Sequence, residues 1–208
     1  MVIDVGANIG YFSVLFARRV GRAGMVIAFE PGRENVELLR WNVTRAALAN
    51  VRIVEAALGD HDGEGTLFLK PVHPADHRIF EAGEARPSRR IRVVTLDTVL
   101  ADPDVVARIA LIKIDVQGAE MRVLRGMART LKAATAARLL VEFTPAALAA
   151  AGESPEAFLE FFDGIGYRPR VFDGRAFADV TREQVAAAAR EHGYVDVLYV
   201  RDDEASPA

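Results

Sequence analysis

Short apolar runs alternate with amphipathic helical patterns along the first part of the chain. That alternation restricts the fold more than any other feature. Val2–Val5, Met25–Phe29 and Val51–Ala56 read as near-continuous apolar strands. Between them Ile9, Phe12, Phe16 and Val20 recur at helical spacing, with Asn8 as N-cap, and Val36, Leu39 and Val43 mark a second helix. Strands that are apolar throughout, joined by helices, point to an α/β fold in which a parallel sheet is covered on both faces.

The pattern continues less regularly. Thr66–Leu69 and Ile91–Leu96 look like short strands around a polar stretch with Pro71, Pro74, Gly83 and Pro87. Ala110–Ile114 is a strong buried strand, and Met121, Leu124, Met127 or Ala128, and Leu131 mark the helix after it. Arg138–Phe143 is a further strand. Ser154-Pro155-Glu156 starts a helix whose core face is Phe158, Phe161, Phe162 and Ile165. Tyr167–Phe172, a turn at Asp173-Gly174, a capping box of Thr181 with Gln184, and a last strand at Tyr194–Val200 complete the pattern. With 208 residues and no interdomain linker, one domain is expected over 1–201, with 202–208 as a frayed tail.

Composition excludes several classes. Hydrophobic residues make up 51% and charged residues 26%, a globular balance. No apolar run reaches the roughly 18 residues of a membrane span, and Asp4 interrupts any secretory signal at the start. A cytoplasmic location and no membrane partner are expected. There is no cysteine, which excludes disulfides, thiolate nucleophiles and Cys-ligated zinc. A net charge of −3, without a basic face studded with aromatics, argues against nucleic acid as a partner. No ligand set for a metal is read.

Asp4-Val5-Gly6-Ala7-Asn8-Ile9-Gly10 follows a strand and opens a helix. Glycines there allow a sharp turn and a close ligand approach, and N–H groups at a helix start can face the ligand. Glu30 ends the second strand, where a carboxylate can accept from ribose hydroxyls. A nucleoside-containing cofactor fits, against the plain alternative of a tight turn that binds nothing. The spacing G-x-N-x-G departs from the dinucleotide G-x-G-x-x-G. Asp4 would repel a pyrophosphate but suit an amino group and a sulfonium, which favours S-adenosylmethionine (SAM) over NAD.

Ile112-Lys113-Ile114-Asp115-Val116-Gln117-Gly118-Ala119-Glu120 is the most distinctive stretch. Ligands of open parallel sheets sit at the carboxyl ends of strands, where Asp115 falls. Lys113 lies inside the strand, on the same side as Asp115. If this strand neighbours the first, Lys113 can pair with Asp4, a structural role. Glu142 ends the next strand, so Asp4, Asp115 and Glu142 could ring one crevice, with helix capping as the alternative for Asp115 and Glu142. Glu120 is either a first-turn helix acid or a substrate contact. His73 and His77 lie four apart in the proline-containing loop, as solvated side chains or as a base or metal ligand. Arg86, Arg89, Arg90 and Arg92 read as a solvated face or a contact to an acidic acceptor.

At these motifs the chain resembles the FkbM-type SAM-dependent methyltransferase family. The resemblance rests on VIDVGANIGYFSVLFA, VIAFEPGRENVELLRWNV, VRIVEAALGD, VVTLDTVL, LIKIDVQGAEMRVLRGM and LLVEFTP, in that order across residues 2–145. It implies a Rossmann-like class I methyltransferase three-layer sandwich, with a mostly parallel seven-stranded sheet and a reversed strand near its edge. It implies methyl transfer from SAM to a hydroxyl on a sugar or secondary metabolite, a small-molecule or glycan acceptor. Asp4, Gly6, Ala7, Asn8 and Gly10 would hold the methionine part of SAM. Glu30 would take the ribose hydroxyls, with Pro31 shaping the next turn and Asn35 assisting. Ala56, Ala57 and Leu58 would border the adenine, and Asp115 would face the transferred methyl. Asp115 is the first candidate for general base and Glu142 the second; Glu120 and His77 are candidate substrate contacts. Relatives carry helices before the first strand, so a missing N-terminal cap is expected. The alternatives are an NAD(P)-dependent oxidoreductase on a related fold and a SAM-binding domain without turnover.

Overall fold

A computed structural model describes residues 1–69, 78–79 and 87–201. His73, His77, Arg86 and the expected tail 202–208 lie outside the described residues. The chain starts with β1 (Val2–Val5), α1 (Tyr11–Val20), β2 (Val26–Phe29), α2 (Arg33–Arg45) and β3 (Val51–Val54). A small group follows: β4 (Ala57–Leu58), β5 (Gly63–Phe68), β6 (Ser88–Val94), α3 (Leu96–Val99) and α4 (Pro103–Val106). Then come β7 (Leu111–Ile114), α5 (Glu120–Arg125), α6 (Ala128–Ala133), β8 (Arg138–Phe143), α7 (Pro145–Ala150) and α8 (Pro155–Gly164). The last elements are β9 (Tyr167–Phe172), β10 (Phe177–Asp179), α9 (Arg182–His192) and β11 (Val195–Arg201).

Among the described residues the main sheet has eight strands, in the order β10-β9-β11-β8-β7-β1-β2-β3. The pairs from β8 through β7, β1 and β2 to β3 are parallel. The expected reversed strand is β11, antiparallel to both β8 and β9. The expected count of seven is corrected by β10, a three-residue strand added antiparallel to β9 after the Asp173-Gly174 turn. All three β10 residues are exposed, so no apolar pattern marks them. A second sheet, β4-β6-β5, carries the two strands expected near 66–69 and 91–96.

Strand alternation divides the core between the two faces. Ile3, Val5, Ile27, Phe29, Ile112 and Ile114 pack on one face, in a cluster that includes Leu124, Leu131, Phe158 and Phe162. On the other face Val2 and Val26 meet Ala17, and Ala28 meets Leu39 and Val43. The face of α1 is a correction: its buried residues are Ser13 and Ala17, while Ile9 and Phe12 are substantially exposed. Small side chains let α1 lie close to the sheet. Asn8 does not cap it; Gly10 does, in the left-handed conformation. The single helix expected over Met121–Leu131 is two, because Asp97 caps a fresh start by accepting the N–H groups of Arg129 and Thr130. Ser154 and the Thr181–Gln184 box cap α8 and α9 as their sequences indicate.

Candidate active site

The carboxyl ends of β1, β2, β7 and β8 meet at one edge of the sheet. The loop after β1 turns there within a few residues, using φ values of 76° at Gly6, 50° at Asn8 and 89° at Gly10. A Cβ on Gly6 would overlap the carbonyl oxygen of Asp115, and one on Gly10 would overlap the Leu39 side chain. Gly6 therefore needs glycine for space as well as for conformation, and Gly10 needs it for conformation. The N–H groups of this loop are spent inside the chain. Those of Gly6 and Ala7 reach the Phe29 carbonyl, and that of Gly10 reaches Ala7. Asn8 N–H donates to Glu30 Oε2 at 2.9 Å, and Ile9 N–H to Asn8 Oδ1 at 2.7 Å. The expectation of N–H groups facing a ligand at residues 6–10 is corrected accordingly: this loop turns its donors inward.

Glu30 joins the loop to the second strand. Its Oε1 accepts from Gly32 N–H at 2.9 Å and from the Asn35 side-chain amide at 3.2 Å. Burial pushes its carboxyl above the usual carboxylate range, and the Gly32, Asn35 and Asn8 donors oppose that shift. Asp4 lies below the loop, fully buried, and accepts from Ser13 Oγ at 2.6 Å. The strand register places Asp4 opposite Lys113, and Lys113 Nζ stands 3.7 Å from Asp4 Oδ1. Burial raises the Asp4 carboxyl as well, with Lys113 and Ser13 as the main opposing influences. The expected Asp4–Lys113 ion pair is thus present. The Phe12 ring covers the ammonium at 5.1 Å, a cation–π contact.

Asp115 extends β7 and lies beside Glu142. Both Asp115 oxygens are engaged: Oδ2 with Lys113 Nζ at 3.3 Å and Oδ1 with Gln117 Nε2 at 3.0 Å. The same Gln117 nitrogen donates to Glu142 Oε1 at 3.0 Å, and Thr144 Oγ1 donates there at 3.1 Å. Glu142 Oε2 has no donor among the described residues. Burial, with Asp115 next and then Asp196 and Glu120, pushes the Glu142 carboxyl up to about 7. Asp196 pairs with Glu142 in the β8–β11 register and is itself raised by burial.

A cavity of about 270 Å³ opens along this edge. Gly6, Asn8, Glu30, Pro31, Asn35, Ala57, Leu58, Asp115 and Glu142 line it, so nine of the residues singled out in the sequence come together. Asp4, Ala7, Gly10, Ala56 and Glu120 do not line it. Glu120 is buried and accepts from Val116 N–H at 3.3 Å and Gly118 N–H at 3.0 Å. That makes it a support for the turn below rather than a wall of the cavity. Sequence reasoning missed Gln117, Val116, Val5 and Phe29, which lie at or beside strand ends, and Leu67 and Ile79 from around the second sheet. Gln117 offered no periodic signal; its position just after a charged strand end was the available clue. Of the basic run, Arg89 pairs with Glu34 through two bonds and Arg90 with Glu64.

The eight-strand order without β10 reads 3-2-1, then β7 and β8, then the reversed β11 inside β9, with a polar crevice at the strand ends. That is the class I methyltransferase arrangement. Likeness to a solved structure agrees: methyltransferase FkbM from Methylobacillus flagellatus KT aligns over 95% of this chain and 42% of its own, with a TM-score of 0.58 and 17% identity. Residues 4–169 match the Methyltransferase FkbM domain, and the chain belongs to that family. It is 24% identical over 144 residues to Methyltransferase 1 of Beauveria bassiana, covering 61% of this chain and 57% of that one. It is 30% identical over 156 residues to 31-O-demethyl-FK506 methyltransferase FkbM of Streptomyces tacrolimicus, covering 61% and 59%. The chain thus spans a little under three fifths of the length of these two relatives. Among the described residues no helix is long and apolar enough to cross a membrane.

Proposed function

We propose that this chain binds SAM at the carboxyl edge of its main sheet and methylates a hydroxyl of a small-molecule or glycan acceptor, with Glu142 taking the hydroxyl proton. One observation carries the reading: the described charged residues lining the cavity are Glu30, Asp115 and Glu142, all carboxylates. An anionic cofactor would face repulsion there. The inward-turned N–H groups of residues 6–10 add to this, since a pyrophosphate needs such donors and an ammonium needs carbonyl oxygens instead. NAD(P) is disfavoured on both counts.

The residues fit SAM by the chemistry of their donor set. Gly6 and Asn8 would border its methionine part, Glu30 with Asn35 its ribose, and Ala57 with Leu58 its adenine. Asp4, Ala7 and Gly10 would act from behind, by holding the loop in shape, and Ala56 by leading into β4. When bound, SAM supplies a methyl group on a cationic sulfur. The chain supplies placement of the acceptor and a destination for its proton. An alcohol is a weak nucleophile, and proton removal at the transition state contributes about 10²–10⁴-fold. Asp115 has both oxygens occupied, whereas Glu142 has one free and a proton affinity near neutrality. We therefore place Glu142 ahead of Asp115 as the base and give Asp115 the task of raising it.

Calorimetry with SAM, S-adenosylhomocysteine and NADH tests the cofactor. Heat of binding with the first two and none with NADH is expected; the reverse sinks the reading. Transfer of labelled methyl from SAM to a library of hydroxyl compounds tests the reaction. Glu142→Gln is expected to lose at least about 100-fold in turnover with SAM affinity kept. Full turnover in that variant removes Glu142 from the role.

A further inference from the structure

The turn between β7 and α5 is costly to build, and its product is the placement of one amide. Gln117 holds φ 56°, a left-handed value that a residue with a Cβ adopts at a cost, and Gly118 follows at φ 106°. The turn is tied from inside by the buried Glu120 carboxylate through the N–H groups of Val116 and Gly118. What this arrangement presents is the Gln117 side-chain nitrogen, 3.0 Å from Asp115 Oδ1 and 3.0 Å from Glu142 Oε1. An amide NH2 has two hydrogens, and here each serves one carboxylate.

We propose that Gln117 is a positioning residue for the proton transfer: its amide bridges Asp115 and Glu142, keeps Glu142 Oε1 occupied, and leaves Oε2 as the oxygen that meets the acceptor hydroxyl. The inference rests on the reading of Glu142 as base. Without the bridge, the Thr144 hydroxyl alone would hold Oε1, the two adjacent carboxylates would either separate or share a proton, and the free oxygen of Glu142 would be less firmly directed. The bridge also donates to the ionised form of Glu142 and so favours that form. The groups facing Glu142 are Asp115 at the end of β7, Glu120 on α5 and Asp196 on β11, with Lys113 reaching it through Asp115. All of the directly facing charged groups are acids; the Thr144 hydroxyl opposes them, and the Gln117 amide is a second donor on the same oxygen.

Gln117→Met keeps the length of the side chain and removes the donor. Gln117→Gly removes the donor and relieves the positive φ, so it cannot fail through backbone strain. In both variants the midpoint of Glu142 ionisation, read by 13C NMR of the carboxyl and assigned with Glu142→Gln, is expected to rise by about one pH unit. Asp115→Asn is expected to lower it. The acid limb of the turnover profile should move with the NMR midpoint, giving about a fivefold loss at pH 7 on top of a loss from the misdirected oxygen that persists at pH 9. An unchanged NMR midpoint in both Gln117 variants overturns the proposal. Turnover that returns fully to the parent's at pH 9 also overturns it, because an oxygen that has lost its direction stays misdirected once ionised. A shifted midpoint beside an unmoved turnover profile supports the bridge and instead removes Glu142 as the base.

Discussion

Glu142 takes up a proton on folding near neutral pH, and this has a consequence for stability. Its folded carboxyl titrates at about 7 against an ordinary value of 4.5, because burial and then Asp115 oppose its charge. A raised carboxyl favours folding fully below the lower value and loses that contribution as pH rises through the upper one. Glu142→Gln has no charge to develop. Its stability advantage over the parent should therefore grow between pH 4.5 and 7, by about 1–2 kcal/mol once solvent screening of a partly exposed group is allowed for. Urea unfolding at several pH values measures it; a constant difference would contradict the assignment. At this scale the sequence was informative where chemistry and strand position coincide, as at Glu30, Asp115 and Glu142. It was silent on which carboxylate oxygen is free, because that depends on Gln117 and Thr144 arriving from two different turns.

Elements were legible in proportion to their length and burial. The four-residue strands β1, β2 and β7 stand out because nearly every residue in them is buried, with Asp4 and Lys113 the charged exceptions. The two-residue β4 and the exposed β10 exist through pairing with a neighbour, so no local pattern could announce them. The buried face of α1 is set by the small side chains of Ser13 and Ala17, and the spacing of its large apolar residues does not reveal it. The β7–α5 turn is where an element and the candidate site depend on each other most directly. Glu120→Ala leaves the N–H groups of Val116 and Gly118 without their acceptor, at a cost of about 2–4 kcal/mol. Glu120→Gln retains a carbonyl oxygen and should keep most of the stability and the turn. Equal losses in the two variants, measured by thermal unfolding, would mean that charge rather than acceptor geometry matters here.

At the scale of the whole molecule, strand order could be inferred only in part. The Asp4–Lys113 pair was legible only on condition that β7 neighbours β1, which the register meets, and the placement of β11 between β8 and β9 has no local signature. The core on the side away from α1 and α2 is secured by aromatic rings: Phe162 stacks on Tyr199 at 3.5 Å and meets Phe158 edge-on at 5.2 Å. Phe162→Ala should cost about 3–5 kcal/mol in urea unfolding. Below the transition its affinity for SAM should be unchanged, since none of these rings lines the cavity. A matching loss of affinity would show that the two regions are coupled.

The missing side chain at Gly6 carries the last consequence. Asp115 N–H donates to the Val5 carbonyl, and the Asp115 carbonyl then occupies the space a side chain on Gly6 would fill. The two loops are in effect welded, main chain to main chain, so any side chain at Gly6 would push the half of the cavity built on β7 away from the half built on β1. Laboratory evolution toward new acceptors should therefore leave this weld untouched and accumulate its changes in the segments that surround the cavity mouth.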